Sequence, residues 1–298
     1  MSRQLEYWKR NYCVGKFGVK YLDDELEGIA KRDLILIGAR SGASKISLAN
    51  LIFEKNKKDG RKVALFSLEN FNGDLYSHDV MIEYKNITHH YGITPRQWQM
   101  NLFKIDYEAL EKAEAIVEKK YKDALIFGRQ MNYGKDELAR DLKKVSASGV
   151  ELIILDHIDY VDKDNPNESD VSFMTSLMKT IRCLQEQYGV AIVALSHLRK
   201  PGFKNDVIIP NENEFIGSSN KAKESTVVIM FAPDDEGNIN LLDDTLKQTW
   251  CCIRKLRNGG ISNKCAKLYY DKNIDRYIYQ YELYAVNYSG TKLERLGK

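Results

Sequence analysis

"LILIGARSGASKISLANLIF", residues 34–53, decides the fold. Residues 34–37 are all apolar, the pattern of a strand buried on both faces. Gly38 ends that run, and Lys45 follows seven positions later, opening an apparent helix. A strand, a glycine-bearing loop and a helix in this order form a cradle for phosphate. The loop's backbone N–H groups and the helix N-terminus both favour an anion. The full phosphate-loop motif reads G-x-x-x-x-G-K-[ST]. Here Ser44 stands at the second glycine and Ile46 at the hydroxyl residue. Taken alone, the stretch is equally a glycine-bearing strand–helix turn with a surface lysine.

Working outward, short apolar runs recur at 63–66, 124–127, 152–155, 190–195 and 227–231. Helical stretches separate them, for instance "DYEALEKAEAIVEKKYK" and "SFMTSLMKTIRCLQEQYG", the second stopping at Gly189. Strands alternating with helices imply an α/β fold built on a mostly parallel sheet. From Thr249 the character changes to β-rich segments with an Asn-Gly turn at 258–259, the pattern of an antiparallel edge. We expect an arm at 1–20, one domain at 21–285 and a tail at 286–298.

The 298-residue chain is 43% hydrophobic and 29% charged, which suits an ordinary packed core. A net charge of +3 is too near balance to argue for nucleic acid by itself, although a local basic patch can do so. The five cysteines show no C-x-x-C spacing, which argues against a zinc site or a disulfide framework. Free thiols point to a reducing cytoplasm. There is no signal core and no run of membrane-spanning length, so a soluble, intracellular protein is expected.

Other segments can carry chemistry. "ELIILDHIDYV" ends a buried strand on Asp156, at the edge where open α/β sheets bind nucleotides, though such an Asp also serves as a cap. His157 beside it reads as structural rather than as a metal ligand. "VALFSLEN" places Glu69 after a strand, where a carboxylate can orient water if its strand neighbours the loop strand. The plainer reading is a solvated glutamate. "AIVALSHLRK" ends on Ser196 and His197 before a basic loop. "IRKLRNGG" places Lys255 and Arg257 in alternation, hence on one face of a strand.

In their order and spacing these segments resemble the RecA-like ATPase domain of DnaB-type replicative hexameric helicases, including the related phage and mitochondrial enzymes. The stretch "EFIGSSNKAKESTVVIM" is similar to the one carrying that family's DNA-binding loop. The likeness runs from about Gly18 to Tyr277.

The resemblance implies a RecA-like P-loop fold with ATP and Mg²⁺ as cofactors. Residues Gly38, Ala39, Arg40, Ser41, Gly42, Ala43, Ser44, Lys45 and Ile46 would form the nucleotide loop. Lys45 would bind the phosphates, Asp156 would hold Mg²⁺, Glu69 would activate water and His197 would sense the γ-phosphate. Lys255 and Arg257 would act on a neighbouring subunit's nucleotide. Gly217, Ser218, Ser219, Lys221 and Lys223 would face single-stranded DNA in a ring's channel, Lys221 and Lys223 as phosphate contacts.

The implied partners are single-stranded DNA, further copies of the chain in a hexameric ring, and a primase or helicase loader, with no membrane. The implied role is an ATP-dependent helicase or translocase in replication, of a phage or other mobile element. With 298 residues, the chain is expected to lack the N-terminal primase or collar domain such helicases usually carry.

Ser44 and Ile46 depart from the family's loop, and Ser47 cannot replace the missing hydroxyl, because one helical step turns a side chain by about 100°. Weakened hydrolysis is therefore expected. The alternative is a non-catalytic RecA-like module that serves as loader, inhibitor or scaffold.

Overall fold

The structure is a computed structural model, which describes residues 2–10, 12–41, 45–199, 208–217, 220–239, 245–257 and 264–296. In chain order the first half comprises α1 (Arg3–Arg10), β1 (Cys13–Gly15), α2 (Lys20–Leu26), β2 (Ile29–Ala30), β3 (Leu34–Ala39), α3 (Lys45–Lys58), β4 (Val63–Ser67), α4 (Asn72–Thr88), α5 (Pro95–Gln99), α6 (Tyr107–Tyr121) and β5 (Leu125–Phe127). The second half comprises α7 (Lys135–Ala147), β6 (Leu152–Asp156), α8 (Asp170–Tyr188), β7 (Ala191–His197), α9 (Asn220–Glu224), β8 (Val227–Pro233), α10 (Asp235–Ile239), β9 (Leu246–Leu256), β10 (Lys264–Asp271), β11 (Arg276–Val286) and β12 (Leu293–Arg295).

All the expected apolar runs are strands of one sheet, ordered β12-β11-β10-β9-β8-β3-β7-β6-β4-β5. From β8 to β5 the pairing is parallel, and from β9 outward it is antiparallel. The alternation of side chains explains why the parallel strands are continuously apolar. Ile35 and Ile37 pack into a core with α3, α2 and the chain's first residues. Leu34 and Leu36 pack on the opposite side with α7 and α8. α8 begins on Ser169, whose side chain accepts the Ser172 N–H. It stops at Gly189, as read, with φ at 61°, a left-handed conformation that glycine adopts without strain.

Three expectations need correction. The segment 1–20 is not wholly an arm, because Val14, Phe17 and Val19 are buried in the core and β1 pairs with β2. The segment 286–298 is not wholly a tail, because β12 pairs with β11. Finally, the condition set for Glu69 is not met, because its strand β4 is separated from the loop strand β3 by β6 and β7. The Asn-Gly turn lies outside the described residues. Between β4 and β5, helices α4 and α6 build a small core of their own from Val80, Tyr84, Ile93, Ala109, Ala113 and Val117, which the periodicity did not suggest.

Candidate active site

Parallel strands end together, so their C-terminal residues share one edge. Ser67 lies opposite Asp156, and Ala39 lies opposite His197. Glu69, Asp156 and His197 thereby meet beside the start of α3, although their strands are not all neighbours of β3. His157 completes the group. Its backbone turns sharply after β6, at φ 65°, and its ring is fully buried. The ring stacks on His197 at 4.1 Å between centroids and 9° between planes. His157 Nε2 is 3.4 Å from Glu69 Oε2 and 3.4 Å from Asp156 Oδ1.

The carboxylates differ in setting. Asp156 is buried, whereas Glu69 is partly exposed. The Tyr160 hydroxyl donates to Glu69 Oε1 at 3.1 Å. Burial, then Glu69's charge, raises the pKa of that phenol, so it keeps its proton and stays a donor. The Arg129 guanidinium lies over the Tyr160 ring at 5.2 Å. Tyr160 and Arg129 were missed in the sequence, and only the position of Tyr160 four residues after Asp156 in the same segment hinted at it.

The group opens on a cleft of about 910 Å³. Ser41, Glu69, His157 and His197 line one side, and Lys85, Lys247 and Lys272 line the rest with His78 and Asn273. Burial lowers the pKa of Lys85, and burial with the charge of Lys272 lowers that of Lys247. His78 is raised: burial opposes its charge, but the neighbouring carboxylates of Asp79, 3.7 Å from Nδ1, and Asp275 outweigh it. A wall so rich in cations suits a polyanionic ligand.

The loop residues do not all face this cleft. Gly38 and Ala39 belong to β3. A Cβ on Gly38 would meet Leu198, Met230 and Phe215 side chains at 2.8 Å each, so glycine is needed there for packing. Gly38→Ala is expected to cost about 1–3 kcal/mol through overpacking, measured by denaturant unfolding; an unchanged midpoint would show that those side chains give way. Arg40 was expected at the phosphates, but its side chain pairs with Glu214 at 2.8 Å and its N–H donates to the Phe231 carbonyl. Gly42, Ala43 and Ser44, together with the Lys45 and Ile46 side chains, lie outside the described residues, as do Ser218 and Ser219. The backbone of α3 does begin at Lys45.

Lys221 also departs from expectation. It is fully buried, paired with Asp159, and donates to Ser196 Oγ at 3.0 Å, so it presents no charge to DNA in this arrangement. Asp159 Oδ2 accepts the His197 N–H at 2.6 Å, and Asp159 Oδ1 accepts the Ser196 hydroxyl at 3.1 Å. Lys223 on the same helix is exposed, and Gly217 is partly so. The chain ahead of that helix also grips the end of β7, because Ile216 donates to His197 O and Arg199 donates to Glu214 O.

Lys255 is held by α9, donating to the Ala222 and Lys223 carbonyls at 2.6 and 3.2 Å. Burial, then Arg257's charge, lowers its pKa. Arg257 is exposed one residue beyond the end of β9, where its N–H donates to the Thr226 carbonyl. Leu256 pairs with Val227 at the start of β8, while Phe231 lies opposite Ala39. Arg257 is therefore at the opposite edge of the sheet from the cleft. No helix among the described residues is long and apolar enough to cross a membrane.

Comparison with known proteins bears on this arrangement. One solved structure, of an isolated ATPase domain, superposes with a TM-score of 0.71 at 15% identity, over 92% of this chain and 94% of that one. A DnaB-like replicative helicase, solved in a study of its interactions with primase, gives 0.74 at 14% identity over 93% of this chain and 67% of that one. At such identities the likeness establishes the fold, which is RecA-like. The curated protein sequences gave no match. The family profile of the DnaB-like helicase C-terminal domain matches residues 16–278, nearly the whole of the sheet and both of its cores, and the chain belongs to that family.

Proposed function

We propose that the chain is an ATP-dependent translocase or helicase subunit that acts on single-stranded DNA, with hydrolysis weakened by its altered phosphate loop. The observation that carries this reading is the meeting of Glu69, Asp156 and His197 at one sheet edge, beside α3 and opposite a lysine-rich wall. Replication, of the phage or mobile-element type, is the setting that the family resemblance suggests.

Each residue's part follows from its position. Asp156 offers a hard oxygen donor that suits Mg²⁺. An ion held there would supply positive charge against that of the phosphates. Glu69 Oε2 takes a proton from the attacking water, while Tyr160 fixes the other oxygen. His197 faces the cleft, where its imidazole can contact the terminal phosphate. Arg257 serves a neighbour's cleft, because its own lies across the sheet; this role requires a ring, for which the family's usual number is six. Lys223 and Gly217 contact DNA phosphates without reading bases.

Turnover measured with and without single-stranded DNA tests the reading. We expect slow, DNA-stimulated hydrolysis that is lost in Glu69→Gln and in Asp156→Asn. DNA binding should fall steeply with salt, and Lys223→Ala should weaken it for all sequences alike. A chain that binds neither nucleotide nor DNA would overturn the proposal. One observation favours a second reading, a non-catalytic loader, inhibitor or scaffold: Arg40 is committed to Glu214, and Ser44 and Ile46 replace the loop's usual residues. That reading predicts binding of DNA or of a helicase with no turnover at all.

A further inference from the structure

We infer that Ser67 lends its hydroxyl oxygen to the divalent cation at Asp156, taking the part of the hydroxyl that the phosphate loop lacks. The inference rests on the reading of Asp156 as the ion's carboxylate and adds a residue to it. Ser67 ends β4 fully buried, and its hydroxyl has no hydrogen-bond partner among the described residues. Buried polar groups are ordinarily paired, so such an orphan marks a place where a ligand or ion fits. Ser196 shows the ordinary case. At the matching end of β7 its buried hydroxyl donates to Asp159 and accepts from Lys221.

The direction of the Ser67 side chain follows from its strand. Ser67 lies directly opposite Asp156 in the parallel pair of β4 and β6. Side chains alternate along each strand. Val63 and Leu65 of β4, and Leu152 and Ile154 of β6, enter the core that packs against α3. The next step of each alternation puts Ser67 and Asp156 on that same side. Neighbouring strands lie about 4.8 Å apart, so the hydroxyl and the carboxylate stand side by side at the edge where α3 begins. Mg²⁺ takes oxygen ligands, commonly one or two carboxylates together with substrate phosphates. A hydroxyl adds an oxygen without a negative charge that would repel those phosphates. In the phosphate-loop motif this hydroxyl follows the lysine, where the present chain has Ile46. The end of β4 offers the same chemical group from beside the carboxylate.

The test is the binding of a non-hydrolysable ATP analogue to the intact chain, measured by calorimetry once in Mg²⁺ and once in EDTA. Ser67→Ala should lower the affinity in Mg²⁺ about tenfold and leave that in EDTA unchanged. Asp156→Asn should abolish the gain that Mg²⁺ brings. Denaturant unfolding of the ligand-free Ser67→Ala chain should show an equal or higher midpoint, because alanine removes a buried hydroxyl that has no partner. The inference is overturned if Ser67→Ala keeps the parent's affinity in Mg²⁺; loss of the gain in Asp156→Asn would then leave the reading of Asp156 standing. It is also overturned if Ser67→Ala binds equally less well with and without the ion, or if its unfolding midpoint falls, since either result makes Ser67 a packing residue. If Mg²⁺ adds nothing to the parent's affinity, Asp156 holds no ion beside the nucleotide, and the inference falls together with that reading.

Discussion

Ser44→Gly combined with Ile46→Thr is expected to raise ATP turnover about a hundredfold over the parent chain. Glycine lets a loop backbone approach phosphate without a side chain in the way. Threonine would add a hydroxyl oxygen of the kind Mg²⁺ takes as a ligand. Residue 46 lies in the first turn of α3, directly after Lys45, where the phosphate-loop motif carries its hydroxyl residue. A recovered transition-state interaction of about 3 kcal/mol gives the stated factor. The gain should vanish when Glu69 or Asp156 is replaced by alanine, because the repair needs the rest of the edge. It should also weaken under conditions that dissociate a ring, because Arg257 faces away from its own cleft. If turnover stays flat while nucleotide still binds, the scaffold reading is preferred. If the parent already turns over at ordinary helicase rates, another group holds the metal.

The sequence announced this edge through its residues rather than through its strand order. Runs such as residues 34–37 and 152–155 are apolar on both faces, because each strand feeds two cores, and that doubled burial makes them legible. Which strand lies beside which depends on contacts distant in sequence, so the places of β7 and β6 could not be read from residues 34–53. Glu69 reaches the site all the same, because β4 pairs with β6 and its end lies beside Asp156. The helices between β4 and β5 were partly missed, since α4 mixes charged residues with its buried Leu75, Val80 and Tyr84 and offers a blurred stripe. Lys221 was misread for a reason that spacing alone could have corrected. Two residues apart on a helix means about 200° of rotation, so Lys221 and Lys223 cannot share a face, as they would on a strand. The reading around Asp156 stopped at the strand's end, three residues short of the Asp159 that Lys221 requires.

Lys221→Ala is therefore expected to act through stability, costing about 3–5 kcal/mol, well beyond the loss of a surface cation. Removing the ammonium strands Asp159, a largely buried carboxylate whose other partners are Ser196 and the His197 N–H. An uncompensated buried charge is the costly outcome, and removing the charges together is far cheaper. Lys221→Met with Asp159→Asn should then recover most of the loss. The methionine refills the channel of the lysine stem, and the amide oxygen still accepts from the His197 backbone. Denaturant unfolding of the parent, the single variant and the double variant measures this, with equal slopes showing that the unfolded state is not the cause. DNA binding separates this account from the original one. At temperatures where both remain folded, Lys223→Ala should weaken DNA binding and the double variant should not, because only Lys223 is exposed. If Lys221→Ala is as stable as the parent yet binds DNA poorly, the lysine leaves its pocket to meet the strand, and the buried pair is one of two states. If Lys221→Ala and the double variant are equally unstable, the pairing with Asp159 is not what makes Lys221 matter, and the cost lies in the packing of α9 against α8.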